Sequence, residues 1–220
     1  MGVPANGVIY GRSRGAAPTV QLTHTLHRGR LTSMLPPHPF RQLTIRQMAQ
    51  LLFLFLLSTL IFSVLFFRWD HQLQHAGAPY GIVSFELAWS VPGITRVIGP
   101  WTEAARALAL RITLYDYVYL LCYSTTLALL CFLIGHWRMR SHDGNIGRFW
   151  FSLAWWPWIA AACDAIENCA SLPLLLSKPQ VPWPQIMTIA AMIKFSILAV
   201  TVTLIILSPL ALLWPKRRPA

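Results

Sequence analysis

The chain has 220 residues, of which 55% are hydrophobic and only 11% are charged. A soluble domain usually carries about a quarter charged residues, so this composition indicates a membrane protein. Lys and Arg outnumber Asp and Glu by 18 to 7, but they lie at the borders of apolar runs and form no single patch with exposed aromatics, which argues against a nucleic-acid partner.

The first 46 residues contain no Asp or Glu and are rich in Arg, His, Pro and Gly. They lack the apolar core of a cleavable signal peptide and show no helical apolar period. We expect a disordered basic tail held at an anionic membrane surface. An organellar transit peptide, or a true start at Met34 or Met48, stays open as an alternative.

Four long apolar runs follow, at about 48–67, 114–134, 149–172 and 186–213. The first is uncharged over 20 residues, which is enough to cross about 30 Å of hydrocarbon as a helix. Pro173 predicts the end of the third run, and the prolines of PQVPWPQ predict a turn before the fourth. The sequence therefore predicts an all-α polytopic membrane protein with a four-helix transmembrane domain over residues 47–214.

Residues 68–113, between the first two runs, predict a small outer cap. The stretch GIVSFELAWSVPGI (81–94) is apolar but too short to span, which is typical of a buried or re-entrant segment. Thr102 is a good N-cap and Glu103 suits a first helical turn, so a helix should begin here and lead into the second run.

Loop charge predicts the orientation. Twelve Lys and Arg flank the runs on the side of the termini and the middle loop, including the basic tail at 215–220, against five on the opposite side. By the positive-inside rule both termini lie in the cytoplasm. We expect a multi-pass protein of the bacterial inner (plasma) membrane.

Ionisable residues at membrane depth are the main functional signal. Asp116, Asp164 and Glu167 fall in apolar runs, and each costs several kcal/mol unless it is paired, neutralised or hydrated. Asp164 and Lys194 each lie eight residues from the outer ends of their runs, about 12 Å deep. They should therefore meet at one level, either as a pair that fixes helix packing or as part of a ligand or proton site.

Helical spacing extends this site along two stripes. One stripe on the third run comprises Asp164, Glu167, Asn168 and Ser171, and one on the second run comprises Asp116, Tyr119 and Tyr123. Facing inward, the stripes and Lys194 would line a cavity open toward the outer leaflet. One lysine neutralises only one of the two acids on the third run, so the other must carry a proton or face water or a cation.

A metal site is only weakly indicated. Asp70, His71 and His75 follow the first run, and His at i and i+4 can share a metal, but interfacial histidines without a metal are the commoner case. The four cysteines lie within apolar runs without a CxxC pair, so they indicate neither zinc nor a disulfide scaffold. The sequence predicts no cofactor.

A family resemblance rests on GIVSFELA (81–88), ITRVIGPW (94–101), YDYVYLLCY (115–123) and DAIEN (164–168). This order of motifs, over about residues 78–172, resembles a group of uncharacterised four-span bacterial integral membrane proteins with ELA…W…D…DxxEN motifs. The resemblance implies the four-span fold. It adds Glu86 and Trp101 to the candidate site residues and marks Asp116, Asp164, Glu167 and Asn168 again.

Three functions are consistent with these features. The favoured one is a membrane protein that binds or acts on a lipid-like small molecule at its carboxylate cluster in the outer half of the membrane. The alternatives are an ion- or proton-coupled transporter or channel subunit, and a membrane assembly or scaffold subunit. Whether the protein is an enzyme stays open, and a homo-oligomer is a candidate state.

Overall fold

A computed structural model describes residues 38–140 and 144–209. These residues are helical and contain no β-strand. Their α-helices, in chain order, are α1 (Ile45–Asp70), α2 (Gly81–Glu86), α3 (Val91–Ile98), α4 (Glu103–Arg140), α5 (Gly144–Leu153), α6 (Trp156–Leu176) and α7 (Trp183–Leu207). Three predicted segments lie outside the described residues. They are residues 1–37 of the basic tail, the end of the fourth run at 210–213, and the tail at 215–220.

The prediction of an all-α protein with four membrane-spanning segments is confirmed. By length and apolar composition, α1, α4, the pair α5 and α6, and α7 can each cross a membrane. Helix α4 is continuous over 38 residues, about 57 Å, so it exceeds the hydrocarbon thickness of about 30 Å. The beginning of α4 packs in the core of the cap that α2 and α3 form, through Ala109 and Ile112.

The third span differs from its prediction in two respects. It is interrupted between Leu153 and Trp156, where Pro157 occupies the first turn of α6, a position at which proline needs no N–H partner. Pro173 does not end the span, because α6 continues to Leu176. The backbone N–H and the hydroxyl of Ser177 both donate to the Pro173 carbonyl, which closes the helix one turn later.

Residues 38–46 are not part of a disordered tail, in contrast to the prediction. They form a 3-10 helix over Pro39–Gln42 with Phe40 buried, and α1 begins at Ile45. Thr44 and Gln47 form a capping box at this start, with the Gln47 side chain accepting from the Thr44 N–H at 2.8 Å. Buried aromatic packing and the capped start explain the order of this segment.

The spans pack in sequence. Helix α1 packs on α4, α4 packs on α6, and α6 packs most extensively on α7. Within the described ranges, α7 makes little contact with α4 and no comparable contact with α1. The first and last spans are therefore separated along the face of α4.

At the end of the bundle away from the cap, α4 and α5 cross at close range. A Cβ atom on Gly135 would lie 3.0 Å from the ring of Phe151 and 3.1 Å from the carbonyl oxygen of Gly147. Glycine is needed here because only it permits this approach of two backbones. Nearby, Arg138 Nη2 donates to the Ser208 carbonyl at 3.0 Å and so connects α4 to the end of α7.

The cap has its own apolar core, which continues onto the ends of α6 and α7. Its buried side chains include Leu73, Phe85, Ile94 and Val97. The indole N–H of Trp101 donates to the Leu73 carbonyl at 3.0 Å, so this ring is held within the core. The cap is thus packed onto the spans by ordinary hydrophobic burial.

The joint between α1 and α2 depends on one glycine. Gly81 has φ of +52°, a conformation that residues with a Cβ rarely adopt. A Cβ atom there would collide with the carboxylate of Asp70, whose Oδ1 accepts from the Ile82 N–H at 2.6 Å. The last residue of α1 therefore fixes the first turn of the cap.

Candidate functional site

Lys194 is a buried cation that contacts three carboxyl groups. Its Nζ donates to Asp164 Oδ1 at 3.0 Å. It also lies 2.7 Å from Glu167 Oε2, at ion-pair distance but without hydrogen-bond geometry, and 3.8 Å from Glu86 Oε2. One ammonium group is therefore shared among three acids, two from α6 and one from α2.

Asp164 and Glu167 both reach Lys194 because they are one helical turn apart on α6. The depth count places Asp164 and Lys194 at one level, and the structure has them in contact. From the sequence, one lysine is expected to neutralise only one of these acids. In the structure its ammonium group lies between the two side chains and is within 3.0 Å of both.

Glu86 joins the cluster from the cap. It is the last residue of α2, and its carbonyl accepts from the Thr188 hydroxyl of α7 at 2.9 Å, which anchors α2 against α7. The spacing of the sequence cannot show this contact, because the two residues are distant in the chain. Only the family resemblance marks Glu86.

The two predicted polar stripes face each other. The Tyr123 hydroxyl of α4 donates to Asp164 Oδ2 at 2.8 Å. The Asn168 amide of α6 donates to Asp116 Oδ2 at 2.7 Å. Each helix therefore contributes one donor and one carboxylate, and Asp116 is the acid that Lys194 does not contact within ion-pair distance. Glu86, Asp116, Asp164 and Glu167 are called the carboxylate cluster below.

Aromatic rings lie beside this cluster. The rings of Tyr119 and Tyr123 are 5.3 Å apart, and Phe66 of α1 lies at the same distance from Tyr119, in both cases edge to face. The Tyr119 hydroxyl contacts Ser63 Oγ at 3.0 Å. Since Ser63 already donates to the Thr59 carbonyl, Tyr119 is the donor of this bond.

The separation of α1 from α7 forms a groove with a volume of about 540 Å³, called the lateral groove below. Helix α4 forms its floor from Ile112 to Leu130, a distance of about 27 Å. Its cap end is lined by Glu86, Asp116, Asp164, Asn168, Lys194 and the two tyrosines, and its far end by Leu56, Leu127, Leu130, Leu198 and Val202. The groove is thus polar at one end and apolar along the rest.

The carboxylate cluster carries more acid than Lys194 can balance. Four ionised carboxylates and one ammonium would leave three negative charges in a largely buried site, which is strongly unfavourable. The carboxyl groups of Glu86 and Glu167 approach the same ammonium group, and a proton on one of them would remove one of these negative charges. Burial raises the pKa of Glu86 above its ordinary value, although Lys194 acts in the opposite direction.

The weak metal candidate at the end of α1 is not supported. Both ring nitrogens of His75 contact backbone groups, with Nδ1 accepting from the Gly77 N–H at 3.0 Å and Nε2 at 2.9 Å from the Val97 carbonyl. Asp70 caps the turn into α2 and does not approach His75 as a ligand partner. In the part of the chain that the structure describes, no group of three or more His, Cys, Asp or Glu could hold a metal.

One predicted residue lies outside the groove, and two residues beside the groove were overlooked. Trp101 lies in the core of the cap and does not line the lateral groove, so its contribution is to hold the cap in place. The α1 wall of the groove was not predicted. Thr59, which lines it, and Ser63, which binds Tyr119, stand at i and i+4 on an otherwise apolar helix, and this spacing is the signal that would have indicated it.

Comparison of the chain with protein-family models, with curated proteins and with solved structures finds no match, so its function has to be inferred from the geometry of this site.

Proposed function

We propose that this protein binds an amphipathic, lipid-like small molecule in the lateral groove, with the head group at the carboxylate cluster. The observation that carries the proposal is the shape and lining of the groove. Its volume of about 540 Å³ and its mostly apolar wall with a few converging polar groups are typical of small-molecule sites. An extended chain fits beside Leu127, Leu130 and Leu198 while a polar head lies near Asp116.

The route of entry follows from the helix arrangement. The groove lies between α1 and α7, and the membrane-facing side chains of both helices are large and apolar, for example Phe53, Val64 and Ile193. A lipid-soluble molecule can therefore move sideways from the bilayer into the groove without crossing water. A water-soluble ligand would have no apolar chain to occupy the apolar half of the groove.

The orientation completes the proposal. The excess of Lys and Arg on the side of the termini supports a proposed orientation in a bacterial inner membrane, with that side in the cytoplasm and the cap outside. The head group of the ligand then lies in the outer-leaflet half. If the bound molecule is chemically changed, a protonated Glu86, which lines the groove, would supply a general acid and Asp116 a base.

The test is to fill the apolar half of the groove. Leu127→Trp adds a large side chain at the groove wall, whereas Leu121→Trp on the same helix adds it at a position facing the membrane. The protein is purified in a mild detergent, and the lipids that accompany it are identified by native mass spectrometry. We expect a stoichiometric lipid-like molecule on the wild type and on Leu121→Trp, and its loss from Leu127→Trp.

Equal lipid content in the two tryptophan variants would contradict the proposal. So would a wild-type protein that carries no bound molecule and takes none up from added bacterial lipid extract. The two variants are matched in residue change and helix, so a general effect on folding should appear in both.

An ion- or proton-coupled function has weaker support. The carboxylate cluster could hold and release protons, but the groove beyond Thr126 is lined by Leu127, Leu130, Leu198 and Val202. Water and ions need polar partners along a path, and this stretch offers none. Proton flux in proteoliposomes that disappears on neutralising Asp164 and Glu167 together would favour that alternative.

A further inference from the structure

We propose that the lateral groove selects lipid-like molecules whose head group is a cation, namely a long-chain amine or quaternary ammonium compound. This inference rests on the proposed lipid-binding function and specifies the chemical class of its ligand. It is carried by the unequal charge of the site, by the position of Asp116 and by the aromatic rings around it.

The charge of the site is the first argument. The described lining of the groove contains four acids at its cap end, Asp70, Glu86, Asp116 and Asp164, and one cation, Lys194. Lys194 is fully engaged by Asp164, Glu167 and Glu86 at 3.8 Å or less. An anionic head group would meet this excess of acid without a free cation to receive it, and its burial would be costly. A cationic head group reduces the excess.

Asp116 is the group placed to receive such a cation. Its Oδ2 accepts from Asn168 at 2.7 Å, and among the described residues no hydrogen bond to its Oδ1 is found. It is partly exposed and lines the groove, unlike Glu167, which is almost fully buried behind Lys194. Asn168 fixes the carboxylate in place but does not neutralise it, since an amide carries no charge.

Aromatic rings supply the second recognition element. Tyr119, Tyr123 and Phe66 line the groove beside Asp116, and Phe67 lies on the same wall. The faces of aromatic rings attract cations, and quaternary ammonium groups are typically recognised by such rings. An uncharged alcohol head group would gain a hydrogen bond here but neither of these two attractions.

The experiment compares four ligands that share one chain. Hexadecylamine, hexadecyltrimethylammonium, hexadecanol and hexadecanoate are titrated onto the purified full-length protein in a neutral maltoside detergent, and binding is followed by native mass spectrometry. We expect the two cations to bind about tenfold or more tightly than the alcohol or the carboxylate, the ratio that charge complementarity in a partly buried site produces.

The variants assign the preference to Asp116. Asp116→Asn keeps an oxygen for the Asn168 hydrogen bond but removes the charge, so cation binding should fall about tenfold to the level of the alcohol. Glu103→Gln removes an acid from the first turn of the same helix, outside the groove, and should leave all four affinities unchanged.

The outcomes separate the two proposals. If hexadecanol or hexadecanoate binds as tightly as the cations, or if Asp116→Asn and Glu103→Gln behave alike, the inference of a cationic head group is overturned while lipid binding stands. If none of the four ligands binds the wild type, or if Leu127→Trp binds all of them like the wild type, the proposed lipid-binding function itself is overturned.

Discussion

The two ends of the helix bundle are held together by different interactions. At the end away from the cap, α4 and α5 touch through Gly135 and Gly147, and Arg138 binds the Ser208 carbonyl of α7. At the cap end, the helices meet through Lys194 and the carboxylate cluster, and the lateral groove opens beside these charges. Close packing fills space, whereas an ionic contact between long side chains leaves space beside it. Only the second arrangement can hold a ligand.

Removal of the central cation, Lys194, should lower the stability of the protein more than any other change considered below. Lys194→Met leaves Asp164, Glu167 and Glu86 without their shared partner, and an unpaired buried charge typically costs about 3–5 kcal/mol. We expect a large loss of stability in thermal and denaturant unfolding of the detergent-solubilised protein. The control is Lys178→Met, which changes an exposed lysine in the loop before α7.

A compensating change sharpens this result. Adding Glu167→Gln to Lys194→Met removes one of the orphaned charges, so the double variant should recover part of the lost stability. If Lys194→Met unfolds like Lys178→Met, the carboxylate cluster does not hold the cap end together and the contrast between the two ends is wrong.

The opposite end should respond to volume and not to charge. Gly135→Leu forces a side chain against Phe151 and the Gly147 carbonyl, and such overpacking costs about 1–3 kcal/mol. Gly144→Ala is the control, because no atom lies within 4 Å of the position of its Cβ. Unfolding midpoints in detergent should fall for the first variant and stay unchanged for the second. Equal midpoints would show that the crossing of α4 and α5 is not tightly packed.

Glu86 makes the cap end sensitive to pH. Burial raises the pKa of Glu86 in the folded protein above its ordinary value of 4.5. The unfolded chain therefore loses this proton first as the pH rises, and stability falls from about pH 4.5 up to the folded pKa, by at most about 1.4 kcal/mol per pH unit. Melting curves between mildly acidic and neutral pH should show this fall, and Glu86→Gln should make it shallower. An unchanged slope in the variant would exclude Glu86 as the titrating group.

The smallest effect is expected midway between the two ends. Thr59 and Thr126 place their hydroxyl oxygens 3.2 Å apart between α1 and α4, but each already donates to a carbonyl of its own helix, those of Phe55 and Cys122. Even a full hydrogen bond between helices within a membrane is worth only about 0.6 kcal/mol on average, and here both hydroxyl protons are already used. Thr59→Val should therefore shift the unfolding midpoint only slightly. A loss as large as that of Gly135→Leu would mean that this contact helps to close the bundle.

The fold could be predicted to a large extent because hydropathy depends only on local sequence. Four runs of sufficient length gave the four spans, and Thr102 and Glu103 indicated where α4 begins. The interruption before Trp156 and the continuation past Pro173 were missed. Proline is compatible with both a helix interior and a helix end, and the neighbouring helices decide between them.

The site could be predicted only where it depends on depth and helical spacing. These two rules brought Asp164 to the level of Lys194 and aligned Glu167 and Asn168 with it. Depth and helical spacing could not show that Glu86 of the cap contacts the same lysine. They also could not show that α1 and α7 are not in contact. Both facts depend on the order in which helices pack around α4, and hydrophobic side chains facing lipid and those facing a groove look alike in a sequence.

The contact of Gly81 with Asp70 has a consequence for mutational tolerance. The Asp70 carboxylate occupies the space that a Cβ on residue 81 would need, so any other residue would have to displace it and also adopt a strained positive φ. Shortening Asp70 would relieve the collision but not the positive φ, and it would remove the acceptor for the Ile82 N–H. The two positions are therefore epistatic, and in a deep mutational scan residue 81 should accept a single amino acid in a region whose surface positions accept many.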